Sequence, residues 1–309
     1  QAITVGAILS QVGNANLRWE TSVSQNLAFD LGFFDNALYM SVDLYKITTE
    51  DLIAQDFSLI STTAIDAAAP YVNVGSVKNT GIDVTIGYST KTSSGISFSV
   101  DANISRYQNE VTDLVSEFQT GNSGFRGGAI TRTEVGQPIS VFYGRIVEGI
   151  FQNETEVNNS PDQGFASAAD GVGRFRYKDV NDDGVINDDD RTIIGNPHPD
   201  FTYGLNISVG YKGFDFVAFL TGSQGNDIYN YEKIFTDFPT FFNGNRSVRV
   251  LDSWSESNPG GSLPALSQTI TNSETQPNSY FVEDGSYLRM RNLQIGYSLP
   301  KSLISKWKM

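Results

Sequence analysis

The feature that most constrains this chain is an alternation of apolar and polar residues that runs far longer than in an ordinary globular strand. Over residues 17–33 the odd positions are mostly apolar and the even positions are polar or small. Successive side chains of a strand point to opposite faces, so this pattern predicts a strand with one apolar and one polar face. A typical globular strand has only about 5–6 residues. The alternation recurs in 38–45, 82–89, 96–105, 203–211, 214–222 and 292–299.

Two all-β architectures produce such strands. A soluble sandwich buries the apolar face against a second sheet, whereas a transmembrane barrel turns it to lipid and the polar face to the lumen. The barrel is favoured because the strands are long, their second face carries Ser, Asn, Asp and Gly, and aromatic residues lie near their ends. No run approaches the ~18 consecutive apolar residues of a transmembrane helix.

The links between the strands alternate strictly between short and long. Short links are predicted at 34–37, 90–95, 212–213 and 299–302, and long links at 48–78, 106–200 and 223–285. Barrels of this kind have short periplasmic turns and long extracellular loops. The sequence therefore predicts an antiparallel barrel wall of about seven strands, with 106–200 as one large extracellular loop. The apparent strand Val141–Ile150 must lie in that loop, because a wall strand there would break the alternation.

Seven strands cannot close a barrel, and an open sheet edge in lipid leaves unpaired backbone groups. Ser305–Met309 resembles the start of an eighth strand. We therefore expect residues 1–309 to be part of a longer protein. The chain has no cysteine and no recognisable signal peptide. Its formal net charge of −14 argues against a nucleic-acid partner, since phosphate binding needs a basic surface.

A twelve-residue acidic segment, 179–190, has the spacing of a calcium-binding loop. Oxygen-bearing side chains fall at positions 1, 3, 5 and 12, and Gly184 stands at position 6, where such loops turn sharply. The predicted ligands are Asp179, Asn181, Asp183, the Val185 carbonyl and Asp190. The usual glutamate of position 12 is replaced by the shorter Asp190. A structural Ca²⁺ ion is one interpretation, and a turn closed by side-chain-to-backbone hydrogen bonds without metal is the other.

Other candidate residues have simpler alternatives. Trp254 is a candidate sugar-stacking platform or a packing residue of a loop, and the aromatic segment 235–242 is a loop core or a contact for substrate or partner. Arg289 and Arg291 are weak substrate-binding candidates, expected with Tyr287 on the lumen face, or else paired with lumen carboxylates such as Asp215. Further interpretations place Trp19 and Trp307 as membrane-interface anchors and His198 as a surface-loop residue. No catalytic residues are expected, because no nucleophile stands beside a base.

Several ordered segments together resemble a known family. They are LRWE at 17–20, VGQPISVFYG at 135–144, EGIFQ at 148–152, RYKDVNDDGVI at 176–186, IGNPHPDFTYG at 194–204, GSQGNDIYN at 222–230 and SYLRMRNLQIGYSLP at 286–300. In this order they resemble the C-terminal part of a SusC/RagA-type TonB-dependent outer-membrane transporter. The resemblance covers nearly the whole chain.

The resemblance implies active import of glycans, or of oligopeptides, across the outer membrane of Bacteroidetes-type bacteria. It implies a SusD-like surface lipoprotein as partner, outer-membrane lipid around the barrel, and energy from TonB through an N-terminal plug. Neither that plug nor the closing strands are visible in the sequence. Two alternatives remain open, namely a passive porin or adhesin on the same barrel and a soluble calcium-binding β-sandwich that binds glycans.

Overall fold

A computed structural model describes residues 13–55, 70–116, 118–120, 128–240, 244–267, 269 and 273–300. Trp307 and the predicted strand start at Ser305–Met309 lie outside these residues, as do the last residues of the aromatic segment 235–242. Within the described ranges, no helix has the length and apolar character needed to cross a bilayer.

The described residues are mostly in β-strands. The strands are β1 (Thr21–Phe33), β2 (Leu38–Gln55), β3 (Tyr71–Lys91), β4 (Ser97–Leu114), β5 (Phe118–Thr120), β6 (Thr131–Glu134), β7 (Val141–Gly144), β8 (Val147–Ile150), β9 (Phe175–Tyr177), β10 (Thr192–Gly195), β11 (Phe201–Tyr211), β12 (Phe214–Gln224), β13 (Asp227–Tyr229), β14 (Val282–Asp284) and β15 (Tyr287–Tyr297). The helices are single turns: α1 (Glu154–Asn158), α2 (Ala168–Gly171) and α3 (Lys233–Thr236).

Seven long strands form one antiparallel sheet, which we call the wall. Its order is β1-β2-β3-β4-β11-β12-β15, so every strand lies beside its predecessor among the wall strands. The prediction of a seven-stranded antiparallel wall is thereby confirmed, and the sheet is open. The segment Val141–Ile150 divides into β7 and β8, which belong to smaller sheets outside the wall, as the alternation of links requires.

The long links are shorter than predicted because the strands continue past the segments of apolar alternation. β2 and β3 extend so far that the link between them is 56–70 rather than 48–78, and β4 continues to Leu114. Polar residues dominate these extensions, so the apolar alternation that reveals the strands fades there. The link between β4 and β11 is therefore 115–200, and the link between β12 and β15 is 225–286.

The register of the wall separates an apolar from a polar face. One row of directly opposed residues is Phe29, Val42, Val84, Ile104, Tyr203, Gly222 and Leu288. The adjacent row is Ala28, Asp43, Asp83, Ser105, Thr202, Ser223 and Tyr287. Leu27 is 55% exposed and Ile295 is 76% exposed, so the apolar face is not buried against a second sheet. This contradicts the sandwich and leaves the barrel, whose apolar face turns outward.

The three short links lie at one end of the wall. Residues 34–36 all have positive φ, and Lys212 and Gly213 have φ of 48° and 86°. Two successive residues with positive φ give the tight hairpin whose twist matches antiparallel strands. Exposed aromatic residues stand on the apolar face near this end, where Phe214 and Tyr297 lie with ring centroids 4.4 Å apart. Amphipathic rings at such positions are typical of a membrane interface.

Candidate functional site: a two-loop module above a polar wall

The links 115–200 and 225–286 fold together into one unit, which we call the loop module. Its apolar core combines residues of both links, so neither link buries its aromatic side chains alone. The core residues are Phe175 and Tyr177 from the first link and Ile234, Phe238 and Phe281 from the second. Phe238 lies inside the aromatic segment 235–242, and its burial supports the loop-core interpretation at that residue.

A buried ion pair joins the two links beside this core. Arg174 Nη1 lies 3.2 Å from Glu274 Oε2, and both side chains are less than one-tenth exposed. Glu274 also accepts the backbone N–H of Phe175, and Arg174 donates to the carbonyl of Ala265. Burial raises the pKa of Glu274 to about 7, although the Arg174 cation and these hydrogen bonds act in the opposite direction.

Trp254 belongs to the packing of the module. Its indole N–H donates to Gln152 Oε1 over 2.9 Å and so connects the two links again. The ring covers Gly173, where a Cβ atom would overlap it. A ring held on one face and at its N–H offers little surface for stacking on a sugar, so this geometry favours the packing interpretation.

A cleft with a volume of about 460 Å³ opens beside Trp254's partner, Gln152. Its lining combines residues of β8 and Phe175 from the first link with residues 259–262 and Tyr280 from the second. Among the described residues that line it, none carries a formal charge. The Tyr280 hydroxyl donates to Asp237 over 2.5 Å, and burial followed by this bond raises the pKa of Tyr280 well above its usual value. The cleft therefore offers aromatic faces, amides and hydroxyls, which suit an uncharged polar ligand.

The acidic loop 179–190 lies on the surface of the module, and its carboxylates accept backbone N–H groups. Asp179 accepts from Gly184 at 2.8 Å and from Asp183 at 3.3 Å, and Asp183 accepts from Val185 at 2.8 Å. Gly184 has a φ of +85°, as the sixth position of such a loop requires. Asn181 donates to Asp183 through its amide.

Asp190 closes this loop. It is fully buried, and its carboxylate accepts from Val180 at 2.8 Å and from Asn187 at 2.7 Å. Nowhere in the described part of the chain do three or more acidic or histidine side chains converge on a metal-sized site. The hydrogen bonds match the metal-free interpretation of the loop. Calcium binding stays a prediction.

On the polar face of the wall, glycines leave space that is filled by tyrosine rings of the neighbouring strand. Tyr45 on β2 lies over Gly81 of β3, and Tyr39 lies over Gly87, so a Cβ atom at either glycine would overlap a ring. Tyr39 donates from its hydroxyl to Asp101 on β4 over 2.7 Å. These contacts connect three strands through the lumen side of the wall.

The two candidate arginines of β15 differ in register, because only Arg289 has a partner residue on β12. Arg289 pairs in register with Thr221 and Tyr287 with Ser223, so both stand on the polar face, and the Arg289 guanidinium lies 5.4 Å from the Tyr287 ring centroid. Arg291 is the extra residue of a bulge. Its register does not assign it to either face, so its expected place on the lumen face beside Arg289 stays a prediction.

Pairing of Arg289 with Asp215 is also contradicted by the register of β12 and β15. Asp215 pairs with Gly296, seven residues further along the strand, which is about 20 Å at the usual rise per residue. Among the described residues, no carboxylate lies within ion-pair distance of either arginine.

His198 fastens the first link to the wall. Its Nε2 lies 2.9 Å from the Ile139 carbonyl, to which it donates, and its Nδ1 lies within hydrogen-bond distance of the Tyr107 hydroxyl, at 3.1 Å. Tyr107 belongs to the part of β4 that extends beyond its pairing with β11. The histidine therefore stabilises the seam between loop and wall, a role that its position between two prolines did not indicate.

Sequence comparison assigns this fold to a family. The profile of the family described as "TonB dependent receptor-like, beta-barrel" matches residues 4–308. The chain belongs to the TonB-dependent receptor β-barrel family. Members are outer-membrane proteins, and the family comprises receptors and transporters rather than enzymes. The exposed apolar face of the wall therefore faces lipid, and the polar face lines the barrel lumen.

Named relatives in this family are similar over most of the chain. TonB-dependent receptor P3 of Formosa agariphila is 32% identical over 308 residues, which are 97% of this chain and 29% of that protein. TonB-dependent receptor SusC of Bacteroides thetaiotaomicron is 25% identical over 92% of this chain and 26% of its own length. A solved structure of the RagAB peptide transporter matches with a TM-score of 0.77 and 25% identity, covering 99% of this chain and 31% of that one. The chain thus spans about a third or less of each relative.

Residues that the sequence did not single out hold the module together. Arg174 lies far from Glu274 and Tyr280 in the chain, and the three have no local pattern in common. An arginine or glutamate inside a predicted loop would be expected on a solvated surface, and its burial follows only from the folding of two links against each other.

Proposed function

We propose that this chain is part of a TonB-dependent importer that moves glycans, or oligopeptides, across the outer membrane. The observation that carries the proposal is the family match across residues 4–308. The architecture agrees with it, since a polar lumen wall is combined with a folded module at the end of the wall where the extracellular loops emerge. A passive porin is the second candidate, because it uses the same wall.

Uncharged oligosaccharides fit the cleft of the loop module better than peptides do. A peptide brings charged termini, and the described lining residues have no formal charge to pair with them. Aromatic faces and hydroxyl or amide groups, here from Tyr280, Ser262 and Gln152, are the usual partners of sugar rings. Because one structural relative is named as a peptide transporter, oligopeptides are tested as substrates as well.

A SusD-like lipoprotein and TonB are the proposed partners. Val248 and Leu251 stand one turn apart in the second link and are 81% and 84% exposed. Neighbouring large apolar side chains that remain this exposed are a usual mark of a protein interface. TonB would act through a plug domain encoded outside residues 1–309.

Uptake of labelled oligosaccharides and oligopeptides by cells carrying the full-length receptor tests the proposal. Active import predicts uptake that stops when TonB is deleted, whereas a porin continues to conduct. Gly260→Leu should reduce uptake of the true substrate, because Gly260 borders the cleft and a side chain there meets no atom within 4 Å. Gly13→Leu is the matched control, since that glycine is equally unobstructed and lies away from the cleft. Equal uptake with and without TonB would refute active import.

A further inference from the structure

Three basic residues stand in neighbouring strands where the apolar face of the wall ends towards the long links. Lys46 follows Leu44 by two residues on β2, and Arg106 follows Ile104 by two residues on β4. Lys78 lies on β3, where Thr48 is its register partner. All three lie on the same face of the sheet as the neighbouring apolar residues Leu44, Ile82 and Ile104. They therefore point outward from the barrel rather than into the lumen.

The charges of this cluster are mostly uncompensated. Lys78 Nζ lies 2.6 Å from Glu110 Oε2. Lys46 and Arg106 are exposed, and the described residues provide no carboxylate within ion-pair distance of either. Exposed basic residues are ordinarily just solvated. These two differ because they border a surface that faces lipid, at the height where lipid head groups begin.

The spacing of the cluster matches one large head group. β2 and β4 flank β3, so their backbones lie about 10 Å apart, and the offset of Lys46 from Arg106 along the strands is two residues, or about 7 Å. Both side chains are several ångströms long and can converge on phosphates of a single molecule. Beneath them, Leu44, Ile82 and Ile104 offer an apolar surface for acyl chains.

We propose that Lys46 and Arg106, which flank the ion pair of Lys78 with Glu110, bind the phosphate-bearing head group of an outer-leaflet glycolipid. The charge and the apolar surface beneath it identify a lipid rather than free phosphate, because a soluble anion would gain nothing from the apolar residues. The site lies on the outside of the barrel and is independent of the transported substrate.

Native mass spectrometry of the full-length receptor tests the site. The probes are an acylated glucosamine disaccharide that carries two phosphates and its dephosphorylated form. The double variant Lys46→Gln, Arg106→Gln should weaken binding of the phosphorylated lipid by about 25-fold, at roughly five-fold for each basic side chain at an anionic lipid surface. Lys212→Gln, at the short-turn end of the wall, is the matched control and should leave binding unchanged.

Further variants separate charge from folding. Lys46→Arg with Arg106→Lys keeps both charges and should retain binding close to that of the natural protein. Equal binding by the double glutamine variant, or equal binding of the dephosphorylated lipid, would overturn the site. So would displacement of the lipid by millimolar inorganic phosphate, because the site would then recognise phosphate alone.

Discussion

Arg174 and Glu274 lie one hundred residues apart in the chain and form an ion pair with an N–O distance of 3.2 Å. They belong to different links, which are separated by two wall strands. The pair therefore connects the two links inside the loop module. Removal of one partner of a buried pair typically costs about 3–5 kcal/mol, because the other charge stays buried without compensation.

We expect the stability of the module to depend on pH through Glu274. Burial raises its pKa from 4.5 to about 7, so the folded module binds this proton more tightly than the unfolded chain does. The contribution, on the order of 3 kcal/mol, is complete below about pH 4.5 and is lost as the pH rises towards 7. Hydrogen exchange of the Phe175 amide, corrected for the intrinsic rate, should reveal faster opening at pH 7 than at pH 5. Glu274→Gln should abolish this difference, and a persistent pH dependence in that variant would contradict the assignment.

Asp190 should be the most sensitive acidic residue of the loop 179–190. Its buried carboxylate accepts two backbone N–H groups, and Asp190→Ala leaves both unsatisfied. We expect a local destabilisation on the order of 3 kcal/mol, visible as faster proteolysis or amide exchange of this segment. The neighbouring Asp189 is exposed, so Asp189→Ala should change neither measurement. Equal effects of the two substitutions would mean that burial of Asp190 is unimportant.

Calcium binding by the same loop is a separate prediction. If the ion binds with the roughly 10⁻⁴–10⁻³ M affinity of extracellular modules, millimolar Ca²⁺ should slow amide exchange across 179–190. Asp179→Asn with Asp183→Asn should remove this effect while retaining most of the side-chain acceptors of the turn. Titration calorimetry provides the second measurement. An absence of heat and of protection at 10 mM Ca²⁺ would leave the metal-free turn as the correct interpretation.

The polar face of the wall should not accept a branched side chain at Gly81. A Cβ atom there overlaps the Tyr45 ring, so Gly81→Val must displace that ring or separate β2 from β3. We expect the folded barrel to lose its resistance to SDS at a lower temperature than the natural protein. Thr85→Val, on the same face and strand, adds no volume and should behave as the natural protein does.

The wall was predictable because its strands and short turns are determined by residues that are close together in the sequence. Alternation along one strand determines which face is apolar, and a two-residue turn such as 212–213 determines the partner strand. Alternation alone does not predict the extra residue at Arg291, because a bulge depends on the neighbouring strand rather than on the strand's own sequence. Strand ends were missed for a related reason, since the polar extensions of β2 and β4 lack the apolar alternation.

The candidate site was predictable only where its geometry is contained in a short segment. Gly184 and the acidic residues around it are recognisable from spacing alone, and their backbone contacts lie within the same twelve residues. Gln152 and Trp254 meet across 102 residues, and no pattern in either segment indicates the other. Contacts between distant links depend on how the whole module packs, which a single sequence does not reveal.

The shared core of the two links determines what can be exchanged between related receptors. A loop that folded alone could be transplanted to another barrel and bring its ligand preference with it. Here either link, moved alone, would leave Phe175 or Phe281 without the partners that bury it. The smallest transferable unit is therefore the continuous segment 115–286, wall strands β11 and β12 included. Recombination within this family, whether natural or in the laboratory, should succeed at boundaries outside that segment and fail at boundaries within it.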